Sequence, residues 1–391
     1  MPATLLLNRN LHRCLIGHPW IYRSEIQRLE GDPVDGDLVD VLDRGRFVGR
    51  GWYGVTSQIA VRLLTRKDEV VDPVFLRRRL ADALAYRERI LPGRPCRRLV
   101  SSEGDRLPGF IVDQYHNRLV VQCTTAAVEA HRKILIDLIT ELVNPVQVVE
   151  RSDAPVRRHE GLSARTGVLS GIADTTLRAR IGRIEVPVDL MDPHKTGTYL
   201  DQQANHEALM AFVKPGARVL DVCCHLGGFA LHALLAGAAS ATGIDQAESS
   251  IAGARQAASW ADLHERFTGV VGNAFDWLST ADEQRSRFDV VVLDPPSFTR
   301  TKDGIEAALR GYKEMHLRAL HRLEADGVLA TFTCSHHISP DEFTAMIAAA
   351  ATDAGRTLRL EATLDQAADH PVLAGASETG YLRGYVYRVL P

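Results

Sequence analysis

Residues 332–337 read FTCSHH and place a cysteine, a serine and two histidines at the end of an apolar run. That run, GVLATFT at 327–333, is typical of a buried strand. A metal site would need three or four ligands with tetrahedral reach, and no second pair of ligands is evident. A redox centre would need a second thiol nearby, and the sequence offers none. Both are therefore disfavoured, and Cys334 is predicted to be a nucleophile or a passive buried thiol, with no metal bound.

Polar residues also follow four apolar runs upstream of this segment. The polar residues are Asp221, Asp245, Asn273 and Asp294. Gly227 and Gly228 come after the first run, Ala274 follows Asn273, and Pro295 and Pro296 follow Asp294. Each has a plain alternative explanation, such as a tight turn at the glycines or a rigid turn at the prolines. Parallel strands present their carboxyl ends at one edge of a sheet, so together these residues predict a nucleoside-binding site.

This set of residues fits S-adenosylmethionine better than NAD. Asp245 is placed to bind ribose hydroxyls, and Asn273 is placed to bind an adenine edge. The full GxGxxG phosphate fingerprint is missing, and S-adenosylmethionine has no pyrophosphate that would require it. The prolines after Asp294 stiffen the chain, which would fix Asp294 beside the methyl donor where a flat base can stack.

A thiol at position 334 fits the methylation of carbon 5 of cytosine, a carbon too weakly nucleophilic to take a methyl group unaided. A thiolate that adds to carbon 6 makes carbon 5 enamine-like, and loss of the carbon 5 proton later expels the thiol. Asp294 would hold or protonate ring N3 and stabilise the charge that enters the ring. His336 and His337 are candidates for the base that removes the proton.

The elements that must position these residues form three predicted domains. Residues 1–72 alternate apolar and polar residues between Gly and Asp turns, which predicts a small β-barrel. Residues 73–188 combine helices at 73–92 and 126–143 with further strands, which predicts a central α+β domain. Residues 189–391 alternate apolar runs with helical runs, which predicts an α/β domain whose parallel sheet is covered on both faces.

The composition is that of an ordinary globular protein, with 45% hydrophobic and 24% charged residues among 391. No apolar run reaches the ~18 residues of a membrane helix, and the first residues make a poor signal peptide. The six cysteines are scattered without a CxxC pair, which favours a reducing cytoplasm over a zinc ribbon or a disulfide framework. We therefore expect a cytoplasmic protein without membrane or metal partners.

An arginine cluster contrasts with the net charge of −3. Between residues 77 and 98, eight arginines stand against Asp82 and Glu88. The cluster is either a solvated helix face or a phosphate-binding patch, and the planar guanidinium favours phosphate slightly. On the second interpretation, the RNA-binding residues include Arg77, Arg78, Arg79, Arg97 and Arg98.

The sequence resembles the bacterial class I S-adenosylmethionine-dependent 23S rRNA cytosine-5 methyltransferases that carry an N-terminal PUA domain. The resemblance covers nearly the whole chain, and its motifs are together highly specific. They are GHPWIY (17–22), EGDRLPGFIVDQY (103–115), ERSDAPVRRHEGL (150–162), KTGTYLDQQANH (195–206), VLDVCCHLGGFALHA (219–233), LDPPSFTRTK (293–302), LRGYKEMHLRAL (309–320), TCSHHIS (333–339), DHPVL (369–373) and ETGYLRG (378–384).

This resemblance implies a PUA barrel, a central domain and a Rossmann-like methyltransferase domain. It implies Cys334 as the nucleophile and Asp294 in the active site, with the cofactor around the strand ends described above. The segment that contains Tyr199, Asp201 and Gln202 would close over the cofactor, and we add Lys302 to the predicted RNA-binding residues. The implied substrate is 23S rRNA, at a cytosine in a single strand or loop. A homodimer is left open.

Several residues depart from the family pattern. His225 and Leu226 stand where Tyr-Thr is usual, Asn273 where an aspartate is usual, and Gln203 where an arginine is usual. Ser297 stands where other RNA cytosine-5 methyltransferases carry a second cysteine used in product release. Two alternatives stay open: a methyltransferase of the same fold that acts on a guanine or adenine nitrogen of rRNA, and a catalytically inactive RNA-binding factor of ribosome assembly.

Overall fold

The computed structural model describes residues 2–8, 12–192, 197–280, 287–299, 302–335 and 337–391. Its contacts divide the chain into two units. The first unit comprises Met1–Leu177, Val188–Leu200 and Ala368–Gly380, and the second comprises Arg178–Pro187, Asp201–Ala367 and Tyr381–Pro391. The division into three domains at residues 72 and 188 stays a prediction. The assignment of Ala368–Gly380 to the first unit was not predicted from the sequence.

The first unit begins with a six-stranded sheet in the order β2-β6-β5-β4-β1-β3. Its strands are β1 (Ala3–Leu7), β2 (Trp20–Tyr22), β3 (Ile26–Glu30), β4 (Leu38–Asp43), β5 (Arg46–Tyr53) and β6 (Ile59–Thr65). β1 and β4 pair in parallel, whereas β4, β5 and β6 pair antiparallel. Val39 and Val41 of β4 are fully buried on either side of the half-buried Asp40, as expected for a strand with one face in the core. The predicted small β domain is confirmed.

The rest of the first unit contains a five-stranded sheet in the order β11-β10-β9-β8-β7. Its elements are α1 (Pro73–Ile90), β7 (Cys96–Ser101), β8 (Phe110–Tyr115), β9 (Arg118–Cys123), α2 (Ala126–Ala130), α3 (Arg132–Val143), β10 (Gln147–Ser152) and β11 (Arg165–Gly171). α1 begins at Pro73 because the Asp72 carboxylate accepts a hydrogen bond from the Phe75 N–H at 2.8 Å.

The helix predicted at 126–143 is interrupted at His131, where α2 and α3 meet. The His131 ring stacks on Trp52 with ring centroids 5.0 Å apart, and its Nε2 lies 2.9 Å from the Gly36 carbonyl oxygen. These contacts join residues distant in sequence, so helical periodicity alone carries no sign of the break.

The second unit is built on a seven-stranded sheet in the order β16-β15-β14-β17-β18-β20-β19. A separate two-stranded sheet of β12 (Thr176–Ile181) and β13 (Ile184–Asp189) precedes it in the chain. The remaining elements are α4 (Gln203–Leu209), β14 (Arg218–Val222), α5 (Gly228–Leu235), β15 (Ser240–Asp245), α6 (Glu248–Trp260), β16 (Phe267–Val271), α7 (Ala274–Thr280), β17 (Phe288–Leu293), α8 (Ile305–Arg322), β18 (Leu323–Thr333), α9 (Pro340–Asp353), β19 (Thr357–Asp365) and β20 (Arg383–Leu390).

The strands from β16 to β18 pair in parallel, and β20 runs antiparallel to both of its neighbours. The central strands are continuous apolar runs because both faces are covered: Leu220, Val291 and Leu293 are fully buried in one core with Met315 of α8. The Rossmann-like prediction is confirmed. The reversed direction of β20 was not predicted, since an apolar pattern does not encode strand direction. In the described part of the chain, no helix is long and apolar enough to cross a membrane.

Candidate active site

The carboxyl ends of β14, β17 and β18 are neighbours in the sheet. Val222 of β14 is in register with Leu293 of β17, and Leu293 is in register with Thr331 of β18. Asp294 follows β17 directly, and Cys334 follows β18 directly. The structure therefore brings Asp294 and Cys334 to the same edge of the sheet, where ligands bind in folds of this class.

Three carboxylates lie at this edge and are called here the acidic rim: Asp221, Asp245 and Asp294. Asp221 is fully buried, and one of its oxygens accepts a hydrogen bond from the Ala230 N–H at 3.0 Å. Its other oxygen, Oδ1, has no hydrogen-bond partner among the residues that the structure describes. Burial is the main cause that raises the pKa of Asp221 to about 7; the charges of Asp294 and Asp245 add to it, and the Ala230 hydrogen bond opposes it. A cation at the acidic rim would relieve both the burial cost and the repulsion.

Asp245 holds the turn that follows β14. Its carboxylate accepts hydrogen bonds from the His225 N–H at 2.9 Å and from the Ala247 N–H at 3.0 Å. A carboxylate has about four acceptor positions, so Asp245 keeps capacity for a ligand hydroxyl. The turn itself bends sharply, with positive φ angles at Cys223, His225 and Gly227.

Gly228 begins α5 beneath this turn, and no larger residue fits there. A Cβ atom at Gly228 would lie 2.4 Å from the His206 ring. His206 is buried, and burial holds its pKa well below the usual range, so the ring is neutral. Its ring packs edge-on against Phe229 with centroids 4.5 Å apart. Sequence reasoning did not single out His206, because it lies far from the glycines in the chain.

Asn273 is exposed and directly precedes Ala274, the first residue of α7. Its side-chain oxygen accepts hydrogen bonds from the Phe275 N–H at 2.8 Å and the Asp276 N–H at 3.3 Å, as an N-cap does. The side-chain oxygen is thus already engaged by the backbone, so the amide nitrogen is the group that could bind the predicted adenine edge, by donating to an adenine acceptor.

Asp294 is held by a chain of hydrogen bonds from the segment after residue 200. Asn205 Nδ2 donates to Gln202 Oε1 at 2.6 Å, and Gln202 Nε2 donates to the Asp294 carboxylate at 3.0 Å. Gln202 and Asn205 are both buried, so the hydrogen bonds that orient Asp294 come from side chains shielded from solvent. Gln202, which was predicted to close over the cofactor, thus contacts the predicted active-site residue Asp294.

Asp201 and Tyr199, two further residues of that segment, have surroundings different from those of Gln202. Asp201 is buried, and its carboxylate accepts a hydrogen bond from the Tyr381 hydroxyl at 2.6 Å. Tyr199 belongs to the first unit, where it is half-buried. Residues 193–196 of the KTGTYLDQ motif lie outside the described residues.

A network of hydroxyl groups supports the segment that carries Cys334. The Ser335 hydroxyl lies 2.9 Å from the Ser297 hydroxyl and 3.0 Å from the Tyr312 hydroxyl. Tyr312 also contacts the Thr333 hydroxyl at 3.1 Å. Ser297 follows the prolines after Asp294, so this network ties the loop after β17 to the end of β18. Cys334 carries a half-buried thiol, Pro295 is buried, and His336 lies outside the described residues.

Most of the predicted RNA-binding arginines are engaged within the first unit. Arg77 pairs with Glu141 at 2.8 Å, and Arg97 pairs with Glu88 at 3.0 Å. Arg98 forms a bidentate ion pair with Asp113. Arg78 pairs with Glu69 at 2.7 Å. Arg79 is buried and has no carboxylate partner among the described residues. The side chain of Lys302 lies outside what the structure describes.

The residues present fit S-adenosylmethionine. The cofactor carries a sulfonium and an ammonium group, and the acidic rim offers three carboxylates, one of them with an unpartnered buried oxygen. The tight turn at Gly227, with φ of 75°, brings backbone to the same edge. Within the described ranges, no group of three or more His, Cys, Asp or Glu side chains could hold a metal ion.

Comparison with known families agrees with this geometry. Residues 6–66 match the family described as a PUA-like domain, and residues 213–374 match the family described as a methyltransferase domain. A solved methyltransferase structure from Streptococcus mutans superposes with a TM-score of 0.84 at 18% identity, covering 99% of this chain and 100% of that chain. A methyltransferase complexed with SAH gives 0.85 at 18% identity with the same coverage. At this identity both show a shared fold.

The curated relatives extend the match to the whole chain. The ribosomal RNA large subunit methyltransferase I of Alteromonas mediterranea is 39% identical over 377 residues, which is 95% of each chain. The protein of that name from Tolumonas auensis is 36% identical over 400 residues, which is 100% of each chain. The chain therefore belongs to the ribosomal RNA large subunit methyltransferase I family, and S-adenosylmethionine is its cofactor.

Proposed function

We propose that this protein transfers a methyl group to carbon 5 of a cytosine in 23S rRNA, in the cytoplasm, through a transient bond to Cys334. The observation that supports this most directly is the placement of Cys334 and Asp294 at the ends of neighbouring parallel strands. A thiol and a carboxylate at one edge of the sheet are the two groups that this reaction requires from the protein.

Cys334 supplies the electrons that carbon 5 lacks. Its thiolate bonds to carbon 6 of the ring, and the displaced electron pair makes carbon 5 nucleophilic. When bound, S-adenosylmethionine supplies the methyl group from its sulfonium centre. Removal of the carbon 5 proton by a base then restores the ring double bond and breaks the carbon–sulfur bond, which returns the thiolate.

Asp294 stabilises the ring during this addition by passing a proton to ring N3 as the thiolate adds, and it recovers that proton when the carbon–sulfur bond breaks. Its carboxylate is already oriented by Gln202, so little reorganisation is needed when the base enters. Ser297 does not provide a second thiol for product release, and it instead bonds to Ser335 beside the nucleophile. Release of the methylated base therefore depends on the group that removes the carbon 5 proton. His337 is a candidate for that group.

RNA that carries 5-fluorocytosine tests the proposal, because fluorine cannot be removed as a proton and the adduct is trapped. We expect a covalent complex with the wild type and none with Cys334→Ala. Cys14→Ala is the matched control, because burial raises the pKa of the Cys14 thiol to about 11 and keeps it protonated. Trapping that survives in Cys334→Ala would overturn the mechanism.

The two alternatives give different outcomes in the same preparation. A methyltransferase acting on guanine or adenine would leave 23S rRNA with an N-methylated purine and no trapped adduct. An inactive assembly factor would bind RNA without consuming S-adenosylmethionine, and calorimetry with millimolar cofactor would show no heat. Mass mapping of 23S rRNA from a strain without the gene identifies the modified nucleotide directly.

A further inference from the structure

A cavity of about 580 Å³ in the first unit has a basic lining that the proposed chemistry does not use. It is called here the basic cavity. Its walls are the end of β6, the following turn, α1, Arg106 and the segment around Gly375. Five of its lining residues are basic and two are acidic: Arg66, Lys67, Arg78, Arg79 and Arg106 against Glu69 and Asp82. A volume of this size lies within the range of small-molecule sites.

Arg79 is the unusual residue of the basic cavity. It is only 7% exposed, and its guanidinium donates one hydrogen bond to the Leu64 carbonyl oxygen at 3.1 Å. Its Nε has no hydrogen-bond partner in the part of the chain that the structure describes. The Phe75 ring lies under the guanidinium at 4.8 Å, which fixes the side chain but does not neutralise it.

The other buried arginines of the first unit are neutralised by carboxylates. Arg87 pairs with Asp105. Three more buried arginines each pair with a carboxylate among the described residues: Arg62 with Glu160, Arg151 with Asp153 and Arg157 with Glu129. A buried charge without a partner is costly, so this fold normally supplies one. Arg79 departs from the rule, which indicates that its counter-charge comes from outside the chain.

The charges around Arg79 do not replace that counter-charge. Glu69 is engaged by Arg78 at 2.7 Å and by the Thr65 hydroxyl at 2.6 Å. Arg66 donates to the carbonyl oxygens of Cys14 and His18, which leaves its charge unbalanced. Burial lowers the pKa of Arg79, and the charges of Arg106 and Arg78 lower that pKa further. Glu69 and Asp82 act in the opposite direction but offset these effects only in part.

We propose that the basic cavity binds a phosphate group of the RNA substrate, with Arg79 and Arg106 as its main ligands. The planar guanidinium binds two phosphate oxygens at once, so these arginines favour a phosphodiester over an apolar ligand. The volume exceeds that of one phosphate, and Leu63 and Leu373 offer apolar surface to the attached nucleotide. The assignment of RNA as the source of the phosphate rests on the proposed function.

The first test is the salt dependence of binding to a 23S rRNA transcript, with the full chain. Each phosphate contact adds about 0.7 to 0.9 to the slope of log affinity against log salt. We expect Arg106→Gln to lower the slope by about one and to weaken binding about tenfold at 0.1 M salt. Arg89→Gln is the matched control, because Arg89 is an exposed arginine on α1 that does not line the basic cavity.

Arg79 is tested in parallel with inorganic phosphate as the probe. A ligand that binds the folded state raises the unfolding temperature, so phosphate should stabilise the wild type and Arg89→Gln but not Arg79→Gln. Arg79→Lys keeps the charge without the planar fork and should bind RNA with a nearly normal slope but respond weakly to phosphate. Because Arg106 is exposed, its variant remains informative even if Arg79→Gln unfolds.

The outcomes separate the sources of phosphate. Phosphate stabilisation that depends on Arg79, with an RNA salt slope unchanged in Arg106→Gln and Arg79→Gln, would assign the cavity to a free phosphate compound and overturn the RNA assignment. Equal slope losses in Arg106→Gln and Arg89→Gln would show that Arg106 contributes no more than an arginine outside the basic cavity, and would overturn the assignment of the cavity. An N-methylated purine as the product would overturn the cytosine proposal while leaving the cavity result intact.

Discussion

The acidic rim of the second unit and the basic cavity of the first unit treat buried charge in opposite ways. At the acidic rim, Asp245 and Asp294 are held by hydrogen bonds from the chain itself, while one oxygen of Asp221 lacks a partner within the described ranges. In the basic cavity, Arg79 is buried with no carboxylate partner among the described residues. The comparison suggests that the chemical site is oriented before the ligand arrives, whereas the cavity is completed by its ligand.

The largest expected effect concerns Cys334, the proposed nucleophile. Cys334→Ala should lower methyl transfer by about 10⁴-fold or more, because carbon 5 then loses its only source of added electrons. Affinity for S-adenosylmethionine, measured by calorimetry, should change less than about twofold, since Cys334 lies outside the acidic rim. Turnover near the wild-type rate would show that the thiol is passive.

The next effect tests whether Asp294 depends on internal orientation. Gln202→Met removes the donor to Asp294 and the acceptor for Asn205, and we expect kcat to fall by about 10- to 100-fold with little change in KM. Gln122→Met is a matched control, because Gln122 is also buried and donates to the Arg151 carbonyl oxygen in the first unit. A similar loss of kcat in both variants would indicate a general loss of stability.

A smaller effect concerns protonation at the acidic rim. The pKa of Asp221 is raised to about 7 in the cofactor-free protein, and a bound cation favours the ionised form. Cofactor affinity should therefore rise with pH up to about pH 7, by at most about tenfold per pH unit, with protons released on binding. Calorimetry in buffers of different ionisation heat measures that release.

The stability of the cofactor-free protein should change in the opposite direction. The folded state keeps the Asp221 proton that the unfolded chain loses near pH 4, so the contribution of Asp221 to folding weakens as pH rises toward about 7. Asp221→Asn should remove both dependences, whereas Asp262→Asn, at an exposed carboxylate, should retain them. A wild-type cofactor affinity that is flat across this range contradicts the assignment.

The smallest effect is expected from the paired arginines. Arg97→Gln should change the slope of log RNA affinity against log salt by less than about 0.5, because Glu88 and the Leu91 carbonyl already engage the guanidinium. Measured beside Arg106→Gln, this variant shows whether pairing within the chain decides which arginines reach RNA. A slope loss of about one in Arg97→Gln would remove the distinction.

Much of the second unit follows from the sequence because its signals are local. Continuous apolar runs predict buried parallel strands, and the polar residue at the end of each run predicts the edge where Asp221, Asp245 and Asp294 lie. The helix start at Pro73 is equally local, since Asp72 caps it within one turn. The family and the cofactor were likewise predicted, from motifs spread over nearly the whole chain.

What only the tertiary structure decided are partnerships between distant residues. Gln202 reaches Asp294 across 92 positions, and the His131 contacts that interrupt a predicted helix reach back to Trp52 and Gly36. The eight arginines at 77–98 look alike in sequence, yet most are neutralised by carboxylates while Arg79 is buried without one. Local patterns determine where a strand or helix forms, but the free energy of a charge depends on the groups that folding places beside it.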